Sequence, residues 1–503
     1  MPDKPQDNNT ANVDLLIIGG GINGTGIAAD AAARGLKVML CEMNDLASAT
    51  SCSSSKLIHG GLRYLEHYQF NLVRKALTER EILLRIAPHI IHPLRFRLPH
   101  QPHFRPAWMI RAGLFLYDHL SRNNNQPKSI PISFNQQDPL QPELRCGFEY
   151  SDAWVDDARL VILNAMAARN STATIRTRCR CTKAIRQDQH WQVSIENTLN
   201  GTQETLQCKV LVNATGPWVS DFYHAALPMP SPKQMRLVKG SHIVVPRIHD
   251  QPQAYILQNA DKRIVFVIPF QQQYSLIGTT DVDYQGDPSD AQISAEEQNY
   301  LISVCNQYFK HAINTSDIVW SFSGVRPLID DDQHSPQATT RDFHLELQGN
   351  DNEAPLLSIF GGKLTTYRIL AQQALDQLQQ FFPAMASCQT QLTALPGGDF
   401  SDANVLLSGF QSRYPWLDRE LLGRWLNSYG TLTDHFVGGC KEYEDLGQHF
   451  GSQLYQREVD YLIEQEWAIS AEDILWRRSK LGLAFNADSL ARLEQYLHRT
   501  AAS

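Results

Sequence analysis

Apolar positions near the start of the chain form two short runs, at residues 15–18 and 38–40, with a glycine turn and an alanine-rich stretch between them. Short apolar runs beside turn residues indicate buried strands, and the alanines predict a thin helix that packs closely on a sheet. Gly35 follows the alanines, and a glycine commonly ends a helix. The pattern therefore predicts a β-α-β unit over residues 13–42.

The turn inside this unit has the glycine spacing of a dinucleotide site. Gly19, Gly21 and Gly24 would supply a tight turn, a close approach of backbone to a pyrophosphate and a contact between helix and strand. The helix start, with unpaired N–H groups and a positive dipole end, stabilises an anion. Glu42 would accept hydrogen bonds from a ribose diol and repel a 2′-phosphate, which favours FAD or NAD over NADP. The alternative is a glycine turn in an ordinary β-α-β unit.

The rest of the chain alternates between helical and strand-like patterns. The predicted elements are helices at 71–87, 157–169 and 295–310, a β-meander at 172–212, a mostly antiparallel β region at 236–283 and a C-terminal helical domain beyond 398. A capping box from Ser294 to Glu297 opens the third helix. Residues 122–142 are rich in Asn, Gln and Pro and predict a surface loop.

Two later glycine turns, at 215–216 and 361–362, also follow apolar strands. We expect them to meet the turn at 19–24 along one edge of one sheet, and a long buried cofactor such as FAD needs that many contacts. A helix beginning at Gly361 would place a positive dipole end near the flavin carbonyl that becomes anionic on reduction, which would raise the flavin's affinity for hydride. The alternative is a plain strand-to-helix turn.

Composition narrows the function classes. The net charge of −8, from 45 basic and 53 acidic residues, argues against a general attraction to nucleic acid. No apolar stretch is long enough to span a bilayer, and the polar residues 1–12 do not resemble a signal peptide. The nine cysteines contain no CxxC pair, which predicts reduced thiols in the cytosol and argues against a disulfide-reducing flavoenzyme and a structural metal site.

Residues 48–66, SATSCSSSKLIHGGLRYLE, are the most specific segment in the chain. Gly60 and Gly61 would let the backbone pass the face of a flavin. The hydroxyls that could satisfy ring and phosphate groups are those of Thr50, Ser51, Ser53, Ser54 and Ser55. The alternative is a polar loop that caps helices.

This segment closely resembles the FAD-dependent glycerol-3-phosphate dehydrogenases of the aerobic, quinone-linked type. The similarity covers nearly the whole chain, through LRFRLPH at 94–100, FEYSDAWVDDARL at 148–160, VNATGPWV at 212–219, LVKGSHIVVP at 237–246, IGTTDVDY at 277–284, SGVRPL at 323–328 and FGGKLTTYR at 360–368. The resemblance implies an α/β fold, α+β overall. Its parts are an FAD-binding Rossmann-like domain of the glutathione-reductase/amino-acid-oxidase type over 1–88, 143–235 and 325–388, an antiparallel-sheet substrate domain over 89–142 and 236–324, and a helical cap over 389–503.

The resemblance also implies an activity, the oxidation of sn-glycerol 3-phosphate to dihydroxyacetone phosphate with hydride transfer to flavin N5 and electrons passed to ubiquinone. The implied substrate-binding residues are Arg63, Tyr64, Arg326, Arg341 and Lys363. Guanidinium groups suit a phosphate dianion, although an isolated strand Arg is more often a surface salt bridge. The implied cofactor-binding residues are Gly19, Gly21, Asn23, Gly24, Glu42, Thr50, Ser51, Ser53, Ser54, Ser55, Lys56, His59, Gly60, Gly61, Thr215, Gly216, Gly361, Gly362, Lys363, Leu364 and Thr365.

Arg326 is also placed in the catalytic set, together with the two candidates for the catalytic base, His242 and His59. A neutral imidazole titrates near the working pH, but a lone strand His is more often structural, and His59 could instead hydrogen-bond the flavin ring. Two other functions stay open: an oxidase that passes electrons to oxygen, and a flavin-fold tRNA-modifying or other binding protein.

The implied quinone acceptor predicts a peripheral protein, a homodimer on the cytoplasmic face of the inner membrane. Two basic, aromatic segments could contact an anionic interface. The first, residues 85–117, carries Arg85, Arg95, Arg97, Arg105 and Arg111 with Phe96, Phe104, Trp108 and Phe115, and the second, residues 474–483, carries Trp476, Arg477, Arg478 and Lys480. The alternative for each is a wall of the phosphate site or a packed helix end.

Overall fold

Two sheets dominate the molecule, and the chain passes between them several times. The computed structural model describes residues 12–101, 106–121, 125–261, 263–330, 342–350 and 352–502. The strands, in chain order, are β1 (Asn12–Ile18), β2 (Val38–Cys41), β3 (Leu57–Ile58), β4 (Ile91–Pro99), β5 (Ile130–Ser133), β6 (Cys146–Val155), β7 (Thr174–Arg176), β8 (Cys179–Gln187), β9 (His190–Asn197), β10 (Gln203–Asn213), β11 (Met235–Pro246), β12 (Ala254–Gln258), β13 (Ile264–Phe270), β14 (Tyr274–Gly278), β15 (Val282–Asp283), β16 (Trp320–Ile329), β17 (His344–Gln348), β18 (Leu356–Phe360), β19 (His449–Gly451) and β20 (Leu454–Tyr455).

The helices follow the amphipathic and alanine-rich segments of the sequence. In chain order they are α1 (Ile22–Ala33), α2 (Phe70–Ile86), α3 (Ala107–His119), α4 (Asp157–Asn170), α5 (Val219–Ala225), α6 (Ala295–Tyr308), α7 (Tyr367–Leu378), α8 (Ala403–Arg413), α9 (Arg419–Tyr429), α10 (Asp434–Val437), α11 (Gln456–Glu466) and α12 (Ala487–Ala502). α6 has the predicted capping box, with both reciprocal bonds between Ser294 and Glu297 formed. No described helix is long and apolar enough to cross a bilayer.

The first sheet has a parallel centre in the order β18, β10, β1, β2 and β7. β17 adds antiparallel to β18, and the meander β8 and β9 attaches to the first half of β10. β1 is buried on both faces: Leu15 and Ile17 face the helices α1, α4 and α7, while Leu16 and Ile18 face the meander and α5. The pairing of β1 with β2 and of β8, β9 and β10 confirms the predicted β-α-β unit and meander. The nearly continuous burial of β1 is typical of a parallel strand covered on both faces.

The second sheet is mostly antiparallel and runs β15, β11, β14, β13, β12, β4, β6 and β3, with β16 on β11 and β5 on β6. α6 covers one face, and α2 and α3 cover the other. β5 lies inside the predicted surface loop at 122–142, so that prediction was wrong for Ile130–Ser133. β3, β6 and β16 bring parts of 1–88, 143–235 and 325–388 into this sheet, and the domain boundaries themselves stay a prediction.

The C-terminal helices α8 to α12 pack around a core of their own, with Leu422, Trp425 and Leu462 fully buried. This arrangement matches the separate helical domain predicted from the change in sequence character after residue 398. The predicted fold class is confirmed: a Rossmann-like domain, an antiparallel-sheet domain and a C-terminal helical domain.

Candidate active site

The glycine turn after β1 combines two close contacts with one open approach. A Cβ at Gly19 would lie 2.4 Å from the carbonyl oxygen of Ala214, and a Cβ at Gly24 would lie 1.9 Å from that of Gly19. By contrast, a Cβ at Gly21 would meet only the Ser51 hydroxyl, at 3.2 Å. The outer two glycines therefore serve backbone packing, and Gly21 leaves room for a group to reach the start of α1.

Glu42 lies at the end of β2 and closes one side of this turn. Its Oε2 accepts a hydrogen bond of 2.7 Å from the backbone N–H of Gly20, and its Oε1 accepts one of 2.8 Å from Asn44. Burial raises the pKa of Glu42, and these two backbone bonds oppose that shift. Each carboxylate oxygen keeps a second lone pair, which fits hydrogen bonds from the two hydroxyls of a ribose.

The three predicted glycine turns lie at the same edge of the first sheet, because β1, β10 and β18 are parallel neighbours. Asn23 of α1 ties the first turn to the last: its Nδ2 donates to the carbonyl of Gly361 over 3.2 Å, while its buried Oδ1 has no hydrogen-bond partner among the described atoms. Gly216 is left-handed, with φ +59°, and a Cβ there would meet nothing within 4 Å. The unpartnered Asn23 oxygen and the room left at Gly21 and Gly216 fit the long, polar body of FAD.

The helix predicted to begin at Gly361 begins later. Gly361 and Gly362 are both left-handed, with φ of +75° and +108°, and are followed by a 3-10 turn at Leu364–Thr366 before α7 starts at Tyr367. The N–H groups nearest this edge of the sheet therefore belong to the turn around Lys363 and Leu364, and the dipole of α7 starts one turn further on.

The serine-rich segment is bonded to four different elements, α1, α4, β11 and β16. All five of its predicted cofactor-binding hydroxyls have partners in the protein: Thr50 donates to the Val325 carbonyl over 2.7 Å, Ser51 accepts from Ile22 N–H over 3.0 Å, Ser53 lies 3.8 Å from Cys52 Sγ, Ser54 donates to Asp157 over 2.8 Å, and Ser55 lies 2.9 Å from His242 Nε2. Ser53 packs against Gly324, because a Cβ added to Gly324 would lie only 2.7 Å from the Cβ of Ser53. The segment joins the cofactor turn to the second sheet.

Lys56 points into the protein. Its Nζ donates to both oxygens of Asp157, over 2.9 and 3.0 Å, and to the carbonyl of Cys52 over 3.2 Å. Lys480 of the C-terminal domain lies 3.6 Å from the same Asp157 carboxylate. Burial works to raise the pKa of Asp157, but the charges of Lys56 and Lys480 outweigh it, and the pKa is lowered. The charge of Lys56 is thus balanced by Asp157.

His242 is fully buried where β11 faces β16. Its ring stacks on Phe322, with centroids 4.8 Å apart and planes inclined by 15°, and its Nε2 bonds Ser55. Burial, followed by the charges of Arg326 and Lys56, lowers the pKa of His242 well below its usual value. The imidazole is therefore neutral at physiological pH, and a neutral ring has one nitrogen that can accept a hydrogen bond.

The predicted phosphate-binding residues are found in different settings. Arg326 donates to Thr279 Oγ1 over 2.9 Å and forms an ion pair with Asp281. Its side chain is 24% exposed to solvent. The Nζ of Lys363 lies 3.9 Å above the ring of Tyr64. The side chain of Arg63 and the whole of Arg341 lie outside the described residues.

The 361–362 turn brings Lys363 toward the Arg326 strand. A Cβ at Gly361 would lie 3.6 Å from the carbonyl of Pro327, the residue after Arg326. Phe322, Asp157 and Asp281 were not predicted as residues of the site. The signal for Phe322 was available, because residues two and four positions before Arg326 share its face of a strand. The two acids are distant in sequence from the residues they pair with.

Comparison with known proteins places this geometry in a family. A family model described as FAD dependent oxidoreductase matches residues 14–368, and one described as the C-terminal domain of alpha-glycerophosphate oxidase matches residues 388–501. The glycerol-3-phosphate dehydrogenase of Pseudomonas aeruginosa is 54% identical, over 96% of this chain and 94% of that protein. The chain belongs to the family of FAD-dependent glycerol-3-phosphate dehydrogenases.

Two further members of this family support the assignment. The aerobic glycerol-3-phosphate dehydrogenase of Escherichia coli is 52% identical, over 96% of this chain and 97% of that protein. The crystal structure of the glycerol-3-phosphate dehydrogenase from Bacillus halodurans, complexed with FAD, superposes with a TM-score of 0.75 at 27% identity and covers 97% of this chain and 94% of that one. The chain is an FAD-dependent oxidoreductase, which confirms the predicted family and cofactor.

The basic segment 474–483, predicted as a possible membrane contact, is packed inside the protein. Arg477 and Arg478, in the basic segment 474–483, are buried and bind the carboxylate of Asp45, and Trp476 packs on Trp320 with centroids 4.5 Å apart. Charges already paired inside the protein cannot attract lipid head groups. The structure contradicts a membrane role for these arginines, and the alternative of a packed helix end is correct.

Proposed function

We propose that this enzyme oxidises sn-glycerol 3-phosphate to dihydroxyacetone phosphate and passes the electrons to ubiquinone. The observation that carries the proposal is a neutral, buried His242 bonded to Ser55 in the segment that joins the cofactor turn to the second sheet. The names of the family members support the substrate. FAD, when bound, supplies the hydride acceptor, and the protein supplies substrate binding and a proton acceptor.

Cationic side chains would bind the phosphate. The two described candidates are Lys363, whose ammonium group lies over the ring of Tyr64, and Arg326, whose guanidinium group is paired with Asp281. The face of Tyr64 attracts the ammonium group of Lys363 and helps to hold it in place. Arg63 and Arg341 complete the proposed set from the family pattern.

His242 is the group that we assign to take the proton of the substrate hydroxyl, at Nε2, through the Ser55 hydroxyl 2.9 Å away. Stacking on Phe322 fixes the ring plane. His59 stands edge-on to Phe266, with centroids 6.2 Å apart, next to the glycines proposed to pass the flavin. We propose that His59 hydrogen-bonds the cofactor rather than moving the proton.

Substitution His242→Asn tests this assignment. Loss of a general base costs about 10²- to 10⁴-fold in rate. We therefore expect kcat to fall by at least about 100-fold while KM for glycerol 3-phosphate changes by less than about threefold. The measurement is steady-state kinetics with a soluble dye acceptor, with His249→Asn as a control, because His249 is also buried and neutral but packs on Phe309 in another core cluster. Unchanged turnover in His242→Asn would remove His242 from the mechanism.

Anaerobic titration with glycerol 3-phosphate tests the reaction itself. Bleaching of the flavin absorbance supports the proposal, and the absence of bleaching contradicts it. Reoxidation of the bleached enzyme with a soluble ubiquinone analogue or with air then distinguishes the dehydrogenase from an oxidase. A tetritol phosphate in place of glycerol 3-phosphate measures how far the site tolerates a longer polyol.

We also propose that helix α3 lies on the membrane surface where the quinone is found. It exposes Trp108 by 69% and Phe115 by 62%, with Met109 and Leu116 beside them. Trp108 and Phe115, like Met109 and Leu116, are two helical turns apart, so the four side chains form a single apolar face, and Arg111 is exposed on the same helix. A peripheral homodimer on the cytoplasmic face of the inner membrane is the arrangement that we propose with this helix against the lipid.

A further inference from the structure

The buried side of α3 reaches the proposed flavin site through one hydroxyl. The backbone N–H of Gly60 donates to the hydroxyl of Tyr117 over 2.8 Å, and this hydroxyl donates to Asp152 over 2.7 Å. Tyr117 is 1% exposed. Burial raises the pKa of Tyr117 well above its usual value, so the hydroxyl keeps its proton and can serve as donor and acceptor at once.

The carboxylate of Asp152 is held in place from a third element. Arg80 of α2 donates to it over 3.0 Å and to the backbone carbonyl of Ser151 over 2.8 Å, and Arg80 is completely buried. The Tyr117 hydroxyl therefore has one fixed anchor in β6 and one bond to the segment at Gly60. A charge-assisted bond of this kind is stronger than a neutral one and holds its donor in a narrow position.

The Gly60 end of this contact leaves no room for movement. A Cβ at Gly60 would lie 2.6 Å from the Tyr117 hydroxyl and 2.6 Å from Leu77 Cδ2, so backbone and ring are in direct contact. The neighbours of Gly60 are His59 and Gly61, two of the proposed flavin contacts. A displacement of the Tyr117 ring would therefore move the backbone that faces the flavin.

The other face of α3 is the apolar surface proposed to meet the lipid. Phe115 and Leu116, exposed, directly precede the buried Tyr117, and residues two apart on a helix point to nearly opposite sides. We propose that Tyr117 is a positioning residue that couples the seating of α3 on an anionic lipid surface to the position of the His59–Gly61 backbone beside the flavin. This inference rests on the proposed function, in that it needs the flavin next to His59 and lipid against α3.

Substitution Tyr117→Phe tests the coupling, since it keeps the ring and removes only the hydroxyl. The holoenzyme variant should show a shifted visible absorption and circular dichroism spectrum of the bound flavin. Loss of one buried hydrogen bond corresponds to about a fivefold change, so we expect kcat with a soluble dye acceptor to fall by about that factor while KM stays within about twofold. The matched control is Tyr308→Phe, whose hydroxyl bonds the Gln258 carbonyl in a different core cluster.

Vesicles of phosphatidylglycerol and phosphatidylcholine supply the second measurement. They should raise kcat of the wild type and of Tyr308→Phe but not of Tyr117→Phe, while all three float equally well with the vesicles. A Tyr117→Phe enzyme with the wild-type spectrum and kcat, or one that vesicles activate as they do the wild type, overturns the proposal. So does a wild type that vesicles bind without activating.

Hydrogen exchange on the wild type keeps the inference testable if the variant does not fold. Amides of the peptide over residues 57–62 should exchange at a different rate with and without the vesicles, and an unchanged rate overturns the proposal. The spectral comparison needs no substrate. Failure of glycerol 3-phosphate to bleach the wild type would therefore contradict the proposed function and leave the spectral result on Tyr117 to be judged separately.

Discussion

Two basic, aromatic segments of this chain look alike in sequence and occupy opposite environments. The segment 474–483 has its arginines buried in ion pairs. The segment 85–117 is divided: the prediction of a lipid contact is wrong for Arg95 and Arg97, which pair with Glu149, and for the buried Phe96. The part of this segment in α3 instead exposes Trp108, Phe115 and Arg111. The difference lies in what the rest of the fold offers each of them. Asp45 and Asp473 supply carboxylates to the segment 474–483. No ion pair of Arg111 is found in the part of the chain that the structure describes. Local composition alone does not separate an interdomain contact from a lipid contact.

The buried segment joins the C-terminal domain to the cofactor domain. Arg477 and Arg478, from a π-helical turn at Asp473–Arg478, both bind the carboxylate of Asp45, with nitrogen–oxygen distances of 2.7 to 2.9 Å. Asp45 lies three residues after Glu42, directly before the serine-rich segment. The C-terminal domain thus holds the loop that leads from the proposed ribose contact to the flavin end of the site.

The largest effect should come from breaking this pair. Arg478→Met removes two of the three hydrogen bonds that Arg477 and Arg478 donate to Asp45, and both bonds from Arg478 to the carbonyl of Glu466. Removal of one partner of a buried pair costs about 3–5 kcal/mol, and because Arg477 stays bound to Asp45 we expect a cost near the lower end of this range. We expect a matching loss in the free energy of unfolding and weaker retention of FAD, measured by urea unfolding and by flavin fluorescence after dialysis.

The control is Arg236→Met, which breaks a more exposed pair with Asp283 and should cost less than about 1 kcal/mol. Equal losses in the two variants would show that the Asp45 contact does not join the domains as the structure indicates.

The contact between the C-terminal domain and the cofactor domain should also depend on pH, through the carboxylate of Asp473. Burial works to raise the pKa of Asp473, but the Ile469 N–H bond and the charges of Arg178 and Arg477 outweigh it and hold the pKa well below its usual value. A depressed pKa adds stability that is complete above the unfolded-state pKa and is lost as the pH falls toward the folded-state pKa.

The melting temperature of the wild type should therefore exceed that of Asp473→Asn by a constant margin above about pH 5 and by less below about pH 4. Circular dichroism melts across this range measure the margin. A margin that grows on acidification would contradict the assignment.

The exposed segment should respond in the opposite way. Trp108→Ser and Phe115→Ser each remove an apolar side chain from the proposed lipid contact, and burial of such a side chain is worth about 1.5–3 kcal/mol. We expect each variant to bind anionic vesicles at least about tenfold more weakly in sedimentation assays, with an unchanged melting temperature.

Trp476→Ser is the matched control from the buried segment. Because Trp476 packs on Trp320, this variant should melt at a lower temperature and bind vesicles like the wild type. Vesicle affinity that falls in Trp476→Ser but not in Trp108→Ser would reverse the comparison between the two segments.

Elements whose geometry follows from local spacing could be predicted from the sequence. The glycine turn, α1 and Glu42 were predictable because their partners lie within one stretch of thirty residues, and the geometry of a β-α-β unit follows from local spacing. The convergence of the three glycine turns followed from the same rule applied to parallel strands.

The partners of the buried charges were not predictable in this way. Lys56 and Asp157 are 101 positions apart, and Arg478 and Asp45 are 433 apart. Contacts of that range depend on how the sheets and the C-terminal domain pack, and no short-range pattern encodes them. Ser55 and His242, 187 positions apart, were each singled out in the sequence, but their bond appeared only in the structure.

The smallest expected effect concerns charge on the exposed helix. Arg111→Gln removes one cation from α3, and a basic residue near an anionic surface contributes about 1 kcal/mol. We expect vesicle affinity to fall about fivefold at low salt, and the difference from the wild type to shrink as salt is raised, because exposed charges are screened.

Arg499→Gln on α12 makes the same charge change on an exposed helix of the C-terminal domain and should leave vesicle affinity unchanged. If the two variants lose affinity equally, net charge rather than the placement of Arg111 governs binding, and α3 contacts lipid through its apolar side chains alone.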